Sequence, residues 1–386
     1  MESTPQTPQA LYHWAKFTDH DELASLIRGG DAEFIQKREG AFKGDFTFVG
    51  LDRSTVQGGY FALPYIGRGA SRIDRAGFLI RPHLKGDWIW RGQLLDPKSI
   101  IFMARGADYQ DIAPGDSTWA FFSFDRDLLE WAIGATSGVH MALPSSGCRV
   151  YLPDLDSFDD LCLGLRSVFS AVHADPSLLQ SNGARRGVEQ TVLTVLASAL
   201  RTAAPVRPVS YASVSRSRAM KLVDAYLATR KGETVYLADL CSSAGVSERT
   251  LRGLFTETLG VSPVQYLKLR RLHQIRRALR RADPDLNTVQ SVAHGFGIWH
   301  LGRFAGEYRE LFGESPLQTL RSSRNGSGEE EILPWPAPQS APLGSRGPKP
   351  GHPLAPSGRL AWSPSTQGSR PATAPRRQIF LHEQRS

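Results

Sequence analysis

A pattern that occurs twice in the C-terminal half constrains the fold of this 386-residue chain more than any other feature. In the first copy, residues 237–260, apolar residues at helical spacing lead to Gly245, and glycine is typical of helix ends. Ser247 then suits the N-cap of a second helix. The apolar face of that helix consists of Leu251, Leu254, Phe255 and Leu259. This arrangement predicts a helix-turn-helix unit.

A second copy follows at residues 288–313. Ala293 and Gly297 repeat the spacing of Cys241 and Gly245, small residues that allow two helices to cross closely. One such pattern is weak evidence, because it more often marks two packed helices without further role. Two copies within one basic region are much harder to obtain by chance.

A long helix is predicted between the copies, over residues 262–282, beginning at Pro263 and stopped by Pro284. Its length of about 30 Å approaches the 34–36 Å between successive major grooves on one face of B-DNA, so it could hold two recognition helices in place. Arg271 and Arg277 would then contact phosphates at most. The opposite side of the helix is predicted to be covered by Lys268, Arg270, Arg271, Arg276, Arg277, Arg280 and Arg281. The alternative to a DNA-holding role is that these arginines merely solvate a long exposed helix.

The distribution of charge agrees with a polyanion-binding C-terminal half. Residues 217–322 contain 16 Lys and Arg and 10 Asp and Glu, whereas residues 1–216 contain 22 and 24. A basic half of this kind is typical of nucleic-acid binding. The alternative is an arginine-rich helical surface that is merely solvated.

Residues 1–203 read as short strands followed by helices, which predicts a small barrel or sandwich. Helices are expected from Asp125 and over residues 157–172 and 185–200. The apolar stripe of the last helix, 188–200, either forms a dimer contact or packs on its own barrel. Aromatic residues that either form the core or line a pocket are Trp88, Trp90, Phe102, Trp119 and Phe122.

Other features exclude several classes of protein. No run of 18 apolar residues indicates a membrane span, and the N-terminus does not resemble a secretory signal. Three scattered cysteines predict neither a disulfide framework nor a zinc site, so a cytoplasmic location is expected. No cofactor or metal site is predicted, since the histidines of the first half are far apart. Residues 204–216 are interpreted as a linker, and the proline-rich residues 323–386 as a disordered tail.

Residues 217–322 resemble the DNA-binding domain of AraC/XylS-type bacterial transcription regulators. The resemblance rests on AGVSERTLRGLF (244–255), GVSPVQYLKLRRL (260–272) and VAHGFGIWHLGRFAGEYRELFGESP (292–316). The segment around WHLGRF (299–304) is similar to the ethanolamine-operon-regulator branch. The resemblance implies seven helices, double-stranded DNA and RNA polymerase as partners, and usually activation.

The resemblance also implies an α+β multidomain chain, with a cupin-like N-terminal domain for sensing or dimerisation before the all-α domain. A small-molecule effector of unknown identity and a homodimer are expected with it. Arg249, Thr250 and Arg252 match groove-facing positions of the first recognition helix. The complete set of predicted DNA-binding residues is Ser247, Arg249, Thr250, Arg252, Thr256, Arg271, Trp299, His300 and Arg303.

Three glycines depart from the family pattern. Gly253 stands where many relatives have arginine, and Gly302 and Gly306 stand where relatives often have base-reading residues. Base reading is therefore assigned mainly to the first unit, and the second unit is expected to grip the DNA backbone.

Two alternatives belong to other classes of protein. The chain could be an enzyme or a small-molecule-binding protein with an accessory helical domain, although it contains no P-loop, G-x-S-x-G, H-E-x-x-H or C-x-x-C motif. It could also be a purely architectural DNA-binding protein, but such a protein needs no large, nearly neutral N-terminal half. Catalytic turnover would favour the enzyme, and stabilisation by a small ligand would favour the sensor.

Overall fold

The computed structural model describes residues 11–19, 22–24, 30–137, 143–206, 212–230 and 233–322. The predicted disordered tail, 323–386, lies outside the described residues. Within them, thirteen strands are followed or interrupted by ten α-helices, beside the helical residues 22–24 and a short 3-10 helix at Pro176–Gln180, which confirms the α+β class. No helix in these ranges combines the length and the apolar character needed to cross a lipid bilayer.

The described strands form two antiparallel sheets, so the predicted barrel or sandwich is confirmed as a two-sheet sandwich. The eight-stranded sheet has the order β1-β3-β4-β11-β6-β9-β12-β13, and the five-stranded sheet has the order β2-β5-β10-β7-β8. The strands are β1 Tyr12–Phe17, β2 Gly30–Gln36, β3 Gly44–Gly50, β4 Ser54–Phe61, β5 Tyr65–Ser71, β6 Ala76–His83, β7 Trp88–Trp90, β8 Gln93–Leu95, β9 Ile100–Met103, β10 Asp108–Ala113, β11 Ser117–Phe124, β12 Cys148–Leu152 and β13 Ala204–Pro205.

Three helices cover the eight-stranded sheet: α1 Arg126–Ser137, α2 Leu155–Ala174 and α3 Asn182–Thr202. Their apolar sides share one core with that sheet, in which Leu165 and Leu196 lie beside Val56 and Phe122. The apolar stripe of α3 is buried in this core. It therefore packs on its own sandwich, which is one of the two roles expected for it.

Seven helices follow within the described residues, as the resemblance implies. They are α4 Ala212–Thr229, α5 Leu237–Ala244, α6 Glu248–Leu259, α7 Pro263–Arg281, α8 Val289–Gly295, α9 Leu301–Phe312 and α10 Pro316–Ser322. Helix α4 begins inside the segment interpreted as a linker.

Local caps explain where these helices begin and end. The Ser247 and Ser262 hydroxyls accept hydrogen bonds from the backbone N–H groups of Thr250 and Gln265, respectively. Gly245 ends α5 in the left-handed conformation, with φ of 65°, which glycine adopts without a steric penalty. The α5-α6 pair thus forms the first predicted helix-turn-helix unit, and α8-α9 forms the second.

The outer face of the five-stranded sheet packs against the helical half. Ile35, Ile66 and Ile112 from this sheet join the core that contains Phe255 and Ile275. The two halves of the described chain are therefore in apolar contact through one sheet.

Polar contacts surround this apolar contact. Gln36 donates its backbone N–H to His273 Nε2 at 3.0 Å and its amide Nε2–H to the Leu311 carbonyl at 2.7 Å. Glu33 accepts from Arg68 at 2.6 Å, and Arg277 lies 3.4 Å from its other oxygen. Burial alone would raise the pKa of Glu33, but the neighbouring guanidinium groups lower it to about 2.

The alternative that the arginines of α7 merely solvate an exposed helix is wrong for four of them. Arg270 and Arg276 are buried. Arg276 lies 3.5 Å from Asp19 and 2.8 Å from Glu314, and Arg280 pairs with Asp19 and Glu22. Arg277 lies 3.4 Å from Glu33, and its contact with phosphates stays a prediction. Three of these cations therefore face acidic groups of the N-terminal half, whereas Arg270 donates to the Leu227 and Arg230 carbonyls. A sequence pattern on one helix cannot show such partners.

The buried His273 predicts a dependence of stability on pH. Burial lowers its pKa to about 3, helped by Arg277 and Arg276 and opposed by Asp19. Because the unfolded chain takes up a proton near pH 6.5 and the folded chain does not, stability is complete above that pH and decreases as the pH falls toward 3. We expect this residue to cost about 1 kcal/mol of unfolding free energy between pH 7 and pH 5.5.

The measurement is urea unfolding at both pH values, for the wild type and for His273→Gln. A glutamine side chain at this position can still accept the Gln36 N–H but does not titrate, so the pH-dependent loss should become smaller by about 1 kcal/mol. The half-exposed His83 provides the control as His83→Gln. An equal loss in the wild type and in His273→Gln would contradict the assignment.

Candidate nucleic-acid interface

The N-terminal end of α6 exposes the predicted residues of the first unit. Ser247 caps the helix, and its hydroxyl lies 2.9 Å from that of Thr250. Arg249, Arg252 and Thr256 are exposed on the same helix. Arg252 donates its Nε–H to Glu248 at 2.9 Å, so the guanidinium is held along the helix. The first unit therefore combines two exposed cations with hydroxyl groups on a capped helix.

The second unit presents a different set of groups at the start of α9. Trp299 is 71% exposed, and its ring lies 4.6 Å from that of His294. His300 is the N-cap residue but makes no side-chain cap bond. Arg303 donates to Glu307 at 2.9 Å, and Glu307 also pairs with Lys268 of α7 at 3.0 Å. One carboxylate thus links cations from two helices.

A groove of about 410 Å³ lies between the second unit and α7. It brings together four of the predicted residues: Arg271, Trp299, His300 and Arg303. Ser247, Arg249, Thr250, Arg252 and Thr256 do not line it. The predicted site therefore consists of two separate surfaces, one on each unit.

Two residues of the groove were missed by the sequence pattern as candidates for binding. Lys268 was assigned only to the solvated side of α7, and Tyr236 precedes α5, where the helix-turn-helix pattern assigns no role. Both line the groove, and Tyr236 is 62% exposed. The exposure of an aromatic residue just before a capped helix has no signature in sequence.

The opposite ends of the two second helices face the N-terminal half. Lys37 donates to the Leu259 carbonyl at the end of α6, at 3.2 Å. The Gly40 N–H lies 3.2 Å from both the Glu310 and the Leu311 carbonyl oxygens near the end of α9. The sandwich therefore contacts the C-terminal ends of both helices, while exposed residues occupy both N-terminal ends.

The three unusual glycines lie on exposed positions of α6 and α9. A Cβ atom added at Gly253, Gly302 or Gly306 would meet no heavy atom within 4 Å. Packing within the described part of this chain therefore does not require glycine there.

Residues 240–322 match a family model described as "Helix-turn-helix domain". This match and the geometry above show that the C-terminal segment is a helix-turn-helix domain. It is similar to segments of bacterial operon regulators. One is the "Probable thc operon regulatory protein" of Rhodococcus erythropolis, 38% identical over 103 residues, which are 27% of this chain and 31% of that protein.

Another similar protein is the "XylDLEGF operon transcriptional activator" of Pseudomonas putida, 37% identical over 90 residues, which are 23% of this chain and 28% of that protein. The chain thus spans less than a third of the length of both relatives. These matches confirm the AraC/XylS-type resemblance for the C-terminal segment, while the ethanolamine-operon branch stays a prediction.

The solved AraC-like transcriptional activator CuxR is 14% identical, with a TM-score of 0.33 over 63% of this chain and 86% of that one.

Proposed function

We propose that this protein is a sequence-specific, double-stranded-DNA-binding transcription regulator. The observation that supports this most is the pair of helix-turn-helix units joined by α7, with exposed basic residues at the N-terminal ends of both second helices. Recognition helices of this class insert that end into the major groove. The similar regulators of operons support the same function, and activation is the expected direction of control.

The two units are proposed to have different roles. Arg249 and Arg252 offer guanidinium donors that match the acceptors of guanine in the major groove. Thr250 and Thr256 extend this surface, with Ser247 at its edge. In the second unit, Arg303 offers a strong donor. Together with Trp299, His300 and Arg271 of α7 it lines a groove suited to gripping the DNA backbone.

The remaining proposed partners are those expected for a transcription regulator of the AraC/XylS type. An unknown small-molecule effector, RNA polymerase and, in the active form, a homodimer are proposed, with regulation in the cytoplasm. The enzyme alternative is less well supported, because the similar proteins are regulators of transcription.

The proposed function is tested by selecting binding sites from random duplex DNA with the full chain. Two preferred sequence blocks about one helical turn apart are expected, with the stronger preference under the first unit. If the chain binds DNA without any preferred sequence block, the result would support the alternative of an architectural DNA-binding protein. An absence of DNA binding at low salt would overturn the proposal.

Glycine at position 302 predicts opposite changes in stability and DNA binding. Gly302→Ala should raise the unfolding free energy by about 0.5–1 kcal/mol, because alanine is the better helix former and its Cβ has free space. If the DNA backbone approaches this position, the same substitution should weaken DNA binding several-fold. Chemical unfolding and a DNA titration measure the two effects.

The control is Gly187→Ala on α3 of the N-terminal half, where an added Cβ also meets no atom within 4 Å. It should increase stability by a similar amount and leave DNA affinity unchanged. Unchanged affinity in Gly302→Ala as well would show that DNA does not approach this side of α9.

A further inference from the structure

A cavity of about 80 Å³ lies between the two sheets of the N-terminal sandwich. Much of its wall is apolar or aromatic, including Phe34, Phe61 and Met103. At roughly 10–15 Å³ for each water-sized group, the cavity has room for a molecule of about five to eight non-hydrogen atoms.

Four residues in the wall of this cavity have polar side-chain atoms without a hydrogen-bond partner among the residues that the structure describes. They are both amide atoms of Gln57, Nε and Nη1 of Arg81, and the indole Nε1 of Trp90 and of Trp119. All four side chains are at least nine-tenths buried, and Gln57 is completely inaccessible. Buried polar groups are nearly always paired, so four such groups around one cavity indicate a bound molecule.

The chemistry of these groups selects the kind of molecule. The guanidinium, the amide nitrogen and both indoles donate hydrogen bonds, whereas the Gln57 oxygen accepts them. The molecule must therefore be rich in hydrogen-bond acceptors.

The charge of the cavity wall also determines whether the bound molecule is charged. Arg81 is already neutralised by Asp111, whose Oδ2 lies 2.5 Å from Nη2. These two are the charged residues among those described in the wall. An anion would therefore bring a net negative charge into a buried site, which is unfavourable.

We propose that this cavity binds a compact, uncharged molecule whose carbonyl or ether oxygens accept hydrogen bonds from Gln57, Arg81, Trp90 and Trp119. Binding as such is independent of the DNA-binding half. Only the additional inference that this molecule is the effector depends on the proposed function.

The strands of the cavity wall also form the contact with the helical half. Phe34 of β2, Tyr65 of β5 and Asp111 of β10 line the cavity. Their sequence neighbours Ile35, Ile66 and Ile112 belong to the core of the helix-turn-helix domain. Side chains alternate between the two faces of a strand, so a molecule in the cavity is one sheet away from that domain.

The test uses the full chain with ¹⁵N-labelled tryptophan and observes the indole N–H signals by NMR. The probes are cyclopentanone, cyclopentane as the analogue without an acceptor, and cyclopropanecarboxylate as an anion of similar size. Cyclopentanone should shift the Trp90 and Trp119 signals in a saturable manner, and the other two should not. The exposed Trp299 indole lies outside the cavity wall and serves as the internal reference.

Gln57→Leu provides the test by mutation. Losing one hydrogen bond should weaken cyclopentanone binding about 2- to 12-fold. Because the substitution also removes an unpaired buried group, it should raise the melting temperature without probe by about 2–4 °C. Gln190→Leu on the exposed side of α3 is the matched control and should change neither quantity.

Each other outcome overturns part or all of the proposal. Indole signals that respond to none of the probes would mean a cavity filled by water only, and a response to the carboxylate alone would refute the uncharged class. If the probes fail while DNA selection yields preferred blocks, this proposal falls and the proposed function stands. Cyclopentanone binding without DNA binding would support the cavity and remove the regulatory reading.

Discussion

Replacing Arg81 with methionine is expected to lower the free energy of unfolding by about 3–5 kcal/mol. Arg81 is 2% exposed and donates to both Asp111 and the Tyr65 hydroxyl at 2.5 Å. Without the guanidinium, Asp111 would be a buried carboxyl group without its counter-charge, to which only Trp88 and Tyr65 among the described side chains donate hydrogen bonds. An uncompensated buried charge costs more free energy than the lost pair contributes.

A surface pair of the same chemistry provides the control. Arg72 donates to both oxygens of Asp74 at 2.7 and 2.8 Å, but both side chains are about half exposed. Arg72→Met should therefore cost less than about 1 kcal/mol. Comparing chemical unfolding of both variants separates the effect of burial from that of the ion pair itself.

The second variant in the Arg81 series is Arg81→Met combined with Asp111→Asn. The amide oxygen can still accept from Trp88, and the amide nitrogen can donate to the Tyr65 hydroxyl oxygen, which no longer accepts from Arg81. The side chain carries no charge, so the double variant should recover part of the lost stability. Equal stabilities of Arg81→Met and Arg72→Met, or no recovery in the double variant, would contradict a charged Asp111.

The helix-turn-helix domain could be predicted from sequence because its signals are local. Gly245, Ser247 and the pair Ser262-Pro263 each act within one turn of a helix end, so their positions fix the helix boundaries. The apolar periodicity between them then fixes which sides pack.

Several strands of the five-stranded sheet could not be predicted from the sequence. The sequence patterns indicate strands at residues 46–51, 59–63, 77–80, 87–90, 99–102 and 118–124, and they do not indicate β2, β5 or β10. Strand β5 contains Gly67 and Gly69, and β10 contains Asp108 and Asp111, which are residues depleted in strands. These strands are buried on both faces against different partners, so they do not alternate between apolar and polar residues as half-exposed strands do.

Roles that depend on distant partners were equally invisible. Seven basic residues of α7 looked alike in sequence, yet Arg277 meets Glu33 whereas Arg271 lines a groove. Trp88 and Trp90 differ in the same way, since one indole donates to Asp111 and the other lines the cavity. The distinguishing group lies in another element each time, so no local pattern contains it.

Replacing Arg252 with alanine is expected to weaken binding to the preferred DNA by about 1–3 kcal/mol and to relax the preference at one or two base pairs. Arg252 lies about one turn from the Ser247 cap, near the end of α6 proposed to enter the groove. Its bond to Glu248 is exposed, with both side chains about half accessible, so DNA can displace it at little cost. Selection from random DNA and titration of the preferred site measure both effects.

Two controls separate base reading from charge. Arg230→Ala removes an exposed arginine that pairs with Glu233 just beyond the end of α4, outside both helix-turn-helix units, and should leave DNA affinity nearly unchanged. Arg271→Ala should weaken binding to all sequences about equally and make the dependence on salt shallower by about one ion. If Arg252→Ala behaves like Arg271→Ala, then Arg252 contacts phosphates. The second unit is expected to be less selective, because Gly302 and Gly306 leave α9 few groups that can read bases. A stronger sequence preference under the second unit would therefore reverse the proposed roles of the two units.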